Sequence, residues 1–171
     1  GQTFIVEKPY FVMATQNPIE QEGTYTLPEA QLDRFMFKLL MSYPSADEET
    51  LIATHSIVQE MPEPLEPFLK IEDLRAMQRQ VDSIHVDNKV IRYAVDIVIA
   101  TRHPDKLKEM KLETAIQWGA SPRATLWLIR GARTLAMIEG REFVTPHDVK
   151  QIANDVLRHR LILTYEAQGE G

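Results

Sequence analysis

Residues Ala14 to Phe35 read ATQNPIEQEGTYTLPEAQLDRF, and this stretch decides how the rest of the chain is organised. It follows the apolar run YFVM (10–13) and leads into FMFKLLMSY (35–43). Both flanking segments, YFVMAT (10–15) and FMFKLLMSY, are short, mostly apolar and bounded by polar or turn residues. That is the pattern of a strand buried on both faces. Between them Pro18, Gly23 and Pro28 punctuate a loop. PEAQLD (28–33) has the length of one or two helical turns, with Pro28 at the first position. The loop holds the carboxylates Glu20, Glu22, Glu29 and Asp33, and ends on the cation Arg34. Asn17 closes the first expected strand. Ligands bind at the carboxyl edge of an open α/β sheet, and an amide there both donates and accepts hydrogen bonds. Asn-Pro also opens ordinary Asx-turns, so both readings of Asn17 stand on local evidence. Arg34 has two readings as well. Its planar fork suits a phosphate, or it forms a surface pair with Asp33, worth under about 1 kcal/mol.

From Ser45 onward the periodicity is helical. Ser45 and Glu48 form a capping box, which predicts a helix to about Glu60. MPEPLEP (61–67) has three prolines in seven residues and reads as a linker. A helix is expected from Ile71 to about Gln80, then a short extended piece, SIHV. Asp87 caps a helix of about sixteen residues whose stripe is Val90, Ala94, Ile97, Val98 and Thr101. Ile91 and Val95 widen the stripe, so deep burial is expected. Residues 104–120 read as a partly ordered loop. Ser121-Pro122 opens the next helix and Gly140 stops it. Thr145-Pro146 and Asp148 open the last, which is expected to run to about Arg160. Arg123 falls in the first turn of its helix, where a cation is unfavourable by roughly 0.3–1 kcal/mol. An anion held between Arg123 and the helix N-terminus would remove that conflict; a side chain bent into solvent would also.

Net charge is −6, which argues against broad nucleic-acid binding. The basic runs RHPDKLKEMK (102–111) and RHRL (158–161) therefore read as solvated helix ends. With no cysteine there is no disulfide framework. No apolar run approaches the ~20 residues of a membrane span. His55, His85, His103, His147 and His159 show no metal-ligand spacing and read as surface or capping residues. Trp118 and Trp127 read as core.

ATQNPIEQEGTYTLPEAQLDRF, together with YPSADEE, GASPRA, GREFVTPHDV and VLRHRL, resembles the MoxR family of AAA+ ATPases over nearly the whole chain. The resemblance implies a mostly α fold with a small α/β part: the last strands of an AAA+ core sheet, then a C-terminal helical lid. It divides the chain into 1–44 (distal core), 45–67 (connecting helix and Pro-rich linker) and 68–171 (lid). It makes Asn17 sensor 1, which helps position the attacking water. It makes Arg34 an arginine finger acting on the neighbouring subunit's nucleotide. Arg123 becomes sensor 2, contacting phosphate in cis or in trans, and Glu20, Glu22 and Glu29 tune the border between subunits. ATP and Mg²⁺ would serve the parent ATPase, with none bound to this portion. The implied setting is a cytoplasmic homo-oligomeric ring, hexameric in the family, with von Willebrand factor A-type partners and client complexes. Neither nucleic acid nor membrane insertion is implied.

A P-loop, G-x-x-x-x-G-K-[ST], is absent from these residues. Asp47-Glu48 does not replace the Asp-Glu of a Mg²⁺-binding strand, because Pro44, Ser45 and Ala46 separate it from the expected strand. The chain is therefore expected to be a C-terminal portion that hydrolyses no ATP alone. The alternative is a stand-alone helical interaction module with no nucleotide activity.

Overall fold

The computed structural model describes residues 4–6, 8–16, 27–58, 65–106 and 114–169. A one-turn helix α1 (Glu29–Leu32) precedes α2 (Ala46–Val58), α3 (Ile71–Ser83) and α4 (Asn88–Arg102). After a 3-10 turn at Pro104–Lys106 come β1 (Ile116–Trp118), α5 (Pro122–Ile138), α6 (Pro146–Leu157), β2 (Ile162–Leu163) and the short α7 (Tyr165–Gly169). The fold is mostly helical, as expected of an AAA+ lid.

Local capping chemistry sets most helix starts. The Ser45 N–H donates to Glu48 Oε2 at 2.8 Å, and the Glu48 N–H returns to Ser45 Oγ. Asp87 accepts from the Lys89 N–H at 2.7 Å. Asp148 accepts from the Thr145 N–H at 2.7 Å and from its hydroxyl at 3.0 Å. These bonds satisfy donors that a helix N-terminus would otherwise leave unpaired. Gly140, at φ +71°, ends α5 in the left-handed region.

The core is built around α5, which packs against α3, α4 and α6. Ala124, Leu128, Ala132 and Ala136 recur along one α5 face and are fully buried, as are Val149 and Val156 of α6. The three alanines on that face let neighbouring helices approach closely. The α4 stripe of Val90, Ala94, Val98 and Thr101 completes the cluster. The extended piece before α4 joins residues 142–144: the His85 N–H donates to the Glu142 carbonyl, and the Val144 N–H to His85. β1 and β2 pair antiparallel, with Ile116 opposite Leu163.

Several expectations change. YFVMAT (10–15) and FMFKLLMSY (35–43) are not strands; Phe11 is 87% exposed and Met41 90%. A strand exists only with a ladder partner, and among the described residues none lies beside either segment. α4 buries one stripe rather than lying deep, since Ile91 is exposed and Val95 and Ile97 are half-buried. Trp118 is exposed and Trp127 half-buried. α3 continues to Ser83, and α6 stops at Leu157, before Arg160. The end of the helix expected to reach Glu60 and most of the Pro-rich linker (59–64) lie outside the described residues.

Candidate functional site

The turn that follows α1 docks on the helical domain. The Lys38 N–H donates to the Asp155 carbonyl of α6 at 2.9 Å. Met36 and Phe37 lie over Gly131 of α5; a Cβ there would sit 3.2 Å from Met36 Cε and 3.4 Å from Phe37 Cζ. Ile152 of α6 crowds the same point at 2.5 Å, so the absent side chain at Gly131 makes the close approach possible.

This docking brings together two of the three residues singled out in the sequence. Arg34, at the start of the docked turn, and Arg123, in the first turn of α5, line one open concavity of about 300 Å³. Leu126, Trp127 and Arg130 complete its wall. Arg123, Trp127 and Arg130 stand at i, i+4 and i+7, one face of α5. The Arg130 guanidinium lies 5.5 Å from the centre of the Trp127 ring, within cation–π range. Three arginines around one surface hollow give it a positive charge of a kind that suits an anion. Asn17, together with Glu20 and Glu22, lies outside the described residues. Glu29 is exposed, in the first turn of α1.

Asp33 is the negative counterpart. Its carboxylate accepts the Ser121 hydroxyl at 2.9 and 2.8 Å and Arg160 Nε at 3.0 Å. Arg123 Nη1 lies 3.5 Å from it, the loosest of these contacts. Ser121 is the N-cap of α5, its Oγ accepting the Arg123 N–H at 3.2 Å. The anion expected beside Arg123 is thus supplied in part by the protein. A carboxylate at a helix N-terminus is stabilising, and it offsets the unfavourable placing of the arginine. Arg123 stays half-exposed and able to turn into the concavity.

Arg160 was expected to be a solvated helix end, and the structure reverses that: its side chain is 1% exposed. Burial pushes its guanidinium below the usual range, while Asp33 opposes the shift. His159 beside it is half-buried, with Nε2 3.2 Å from the Phe35 carbonyl oxygen. Burial first, then the Arg160 charge, hold its imidazole below the ordinary histidine value. Sequence reading missed Arg130, although its spacing from Arg123 placed both on one helical face. Nothing local in RHRL signals that Arg160 folds inward onto a turn 127 residues away.

Residues 1–37 match the model for the ATPase family associated with various cellular activities (AAA), and residues 108–171 match the AAA lid domain. The chain is 46% identical over 167 residues to the chaperone MoxR1 of Mycobacterium tuberculosis, covering 98% of this chain and 44% of that protein. It is 42% identical over 172 residues to the uncharacterised protein YeaC of Bacillus subtilis, covering 100% and 51%. A crystal structure from Cytophaga hutchinsonii, provisionally assigned as an ATPase, superposes with a TM-score of 0.87 at 35% identity, covering 98% and 51%. The chain spans about half the length of the curated relatives it matches. Matches at both ends, near-complete coverage by these relatives and the shared lid architecture place the chain in the MoxR family of AAA+ ATPases.

Proposed function

We infer that the chain supplies the arginine contacts of an ATP-hydrolysing ring, and that Arg34 and Arg123 act together on one triphosphate held by the neighbouring subunit's P-loop. The observation that carries this is their shared concavity. An arginine finger works across the subunit border, so an Arg123 facing the same hollow works there too; in this reading Arg123 acts in trans. ATP supplies the phosphoryl group that is transferred to water. The chain's part is positive charge, which fits three guanidiniums and stabilises the negative oxygens in the transition state. Among the described residues no group of three or more His, Asp or Glu is placed to hold a metal ion.

Asn17 is assigned in this scheme to the attacking water. The division into 1–44, 45–67 and 68–171 is retained as a working map, with the docked turn joining the first part to the third. A relative named as a chaperone supports client remodelling; a hexameric ring with von Willebrand factor A-type partners is part of the same proposal. No described helix is long and apolar enough to cross a membrane; a cytoplasmic setting is part of the same proposal.

The test uses the full-length ATPase. Arg34→Ala keeps ATP binding and lowers kcat by roughly 10³–10⁵. Mixing it with a P-loop-dead subunit that retains Arg34 restores turnover, because each site is completed by its neighbour. Absence of rescue refutes action in trans.

A further inference from the structure

We propose that Arg160 is a positioning residue: from the lid it clamps the turn that carries Arg34, so that Arg34 and Arg123 are presented as one unit. The proposal rests on the reading of Arg34 as a phosphate-contacting arginine.

A guanidinium has five N–H donors in a fixed plane. All three of its nitrogens find oxygen here, and Nη1 also lies 2.7 Å from His159 Nε2. Nε donates to Asp33 Oδ1 at 3.0 Å. Nη2 donates to the Asp33 carbonyl at 2.8 Å and to the Phe35 carbonyl at 2.5 Å. Nη1 donates to the Met36 carbonyl at 3.3 Å and to the Val156 carbonyl of α6. Four of the five acceptors thus lie in residues 33–36, on both sides of Arg34, whose own side chain is left to the concavity. The turn is not regular secondary structure; besides Arg160, only the Arg34 and Phe35 amides on Gln31 and Leu32, the Lys38 amide on Asp155 and the packing of Met36 and Phe37 over Gly131 are seen to hold it among the described residues. The same Asp33 carboxylate grips Ser121, the cap of the helix that bears Arg123. Arg160 and Asp33 therefore tie both concavity arginines to one buried point. Lysine cannot substitute, since a point charge with three donors cannot reach four acceptors in one plane.

A displacement of about 1 Å can lower a rate ~10²-fold when it misplaces a reacting or stabilising group. Arg160→Lys in the full-length ATPase is accordingly expected to lower kcat roughly 10²-fold, with the KM for ATP near wild type. In an Arg34→Ala background the same substitution lowers kcat much less than it does in wild type, because most of its effect runs through the group already removed and only Arg123 is left to misplace. Hydrogen exchange reads the clamp without activity. Amides of Arg34, Phe35 and Lys38 exchange faster in Arg160→Lys, while those of residues 126–136 keep wild-type protection. Asp33→Asn, which keeps the shape and loses the charge, is expected to repeat both results if Arg160→Lys folds poorly. Additive losses in the double variant, an unchanged kcat, or protection lost equally throughout 126–136 in both variants would overturn the proposal. Wild-type turnover in Arg34→Ala alone would instead bring down the arginine-finger reading, a distinguishable failure.

Discussion

The ion pair between Asp33 and Arg123 should respond very differently to removal of its two ends. Arg123 is about half exposed and lies 3.5 Å from a carboxylate that already has better partners. An exposed pair of this kind is worth ~0–1 kcal/mol. Its loss is offset by relief of the unfavourable cation at the helix N-terminus, roughly 0.3–1 kcal/mol. Arg123→Ala should therefore leave the nucleotide-free stability within about 0.5 kcal/mol of wild type. Asp33→Ala leaves the buried Arg160 guanidinium without a carboxylate and Ser121 without its acceptor. Breaking a buried pair from one side typically costs about 3–5 kcal/mol. A fifth of the Asp33 side chain reaches solvent, which points to the lower end of that range. At about 2–4 °C per kcal/mol for a chain of this size, a loss of ~3 kcal/mol lowers Tm by roughly 6–12 °C. Arg123→Ala moves it by less than about 2 °C on the same conversion. Thermal unfolding of the chain without nucleotide, followed by circular dichroism, measures both. Equal drops for the two variants would show that Arg123 has a structural role, and the reasoning fails. A Tm unchanged in Asp33→Ala would show that Arg160 finds other compensation, and the clamp fails with it.

Two further outcomes follow from the same geometry. His159 has its folded-state value held below the ordinary 6.5, by burial and then by Arg160, with the Phe35 carbonyl and Asp33 opposing and Lys38 adding to the shift. The unfolded chain then takes up the proton first as pH falls through about 6.5. Stability is full above that pH and declines below it; His159→Gln should remove that decline, and identical pH–Tm curves for the two chains between 7.5 and 5.5 would contradict it. Titration calorimetry of the 171-residue chain with ATP should give no micromolar binding, because arginines alone do not replace the amides and lysine of a P-loop; a clear micromolar isotherm would refute the division of labour across the subunit border.

Helix starts were legible in the sequence because capping is a local transaction. Ser45 meets Glu48, Asp87 meets the Lys89 amide, and Thr145 meets Asp148, all within three residues. The family was legible for a different reason: the loop from Ala14 to Arg34 is long and particular in composition, and the capped helices follow at matching places. Helical periodicity also placed most of the α4 stripe. It overstated burial at Ile91, because a period says which residues share a face and not how many neighbours cover it.

Tertiary structure alone decided the rest. Whether YFVMAT and FMFKLLMSY form strands depends on a ladder partner far away in the chain, and apolar composition cannot supply one. Trp118 was read as core from its chemistry, yet on the two-stranded sheet of β1 and β2 it is 64% exposed. The meeting of Arg34 with Arg123 required the turn to dock over Gly131, a contact between residues nearly a hundred positions apart. Arg160 is the sharpest case. Its side chain has the same chemistry as the solvent-facing arginines, and only the arrangement of carbonyls at Asp33, Phe35 and Met36 turns it inward. Local hydrogen bonding is written in neighbouring letters; burial and the pairing of distant charges exist only once the chain has folded, because they are sums over contacts that sequence order does not contain.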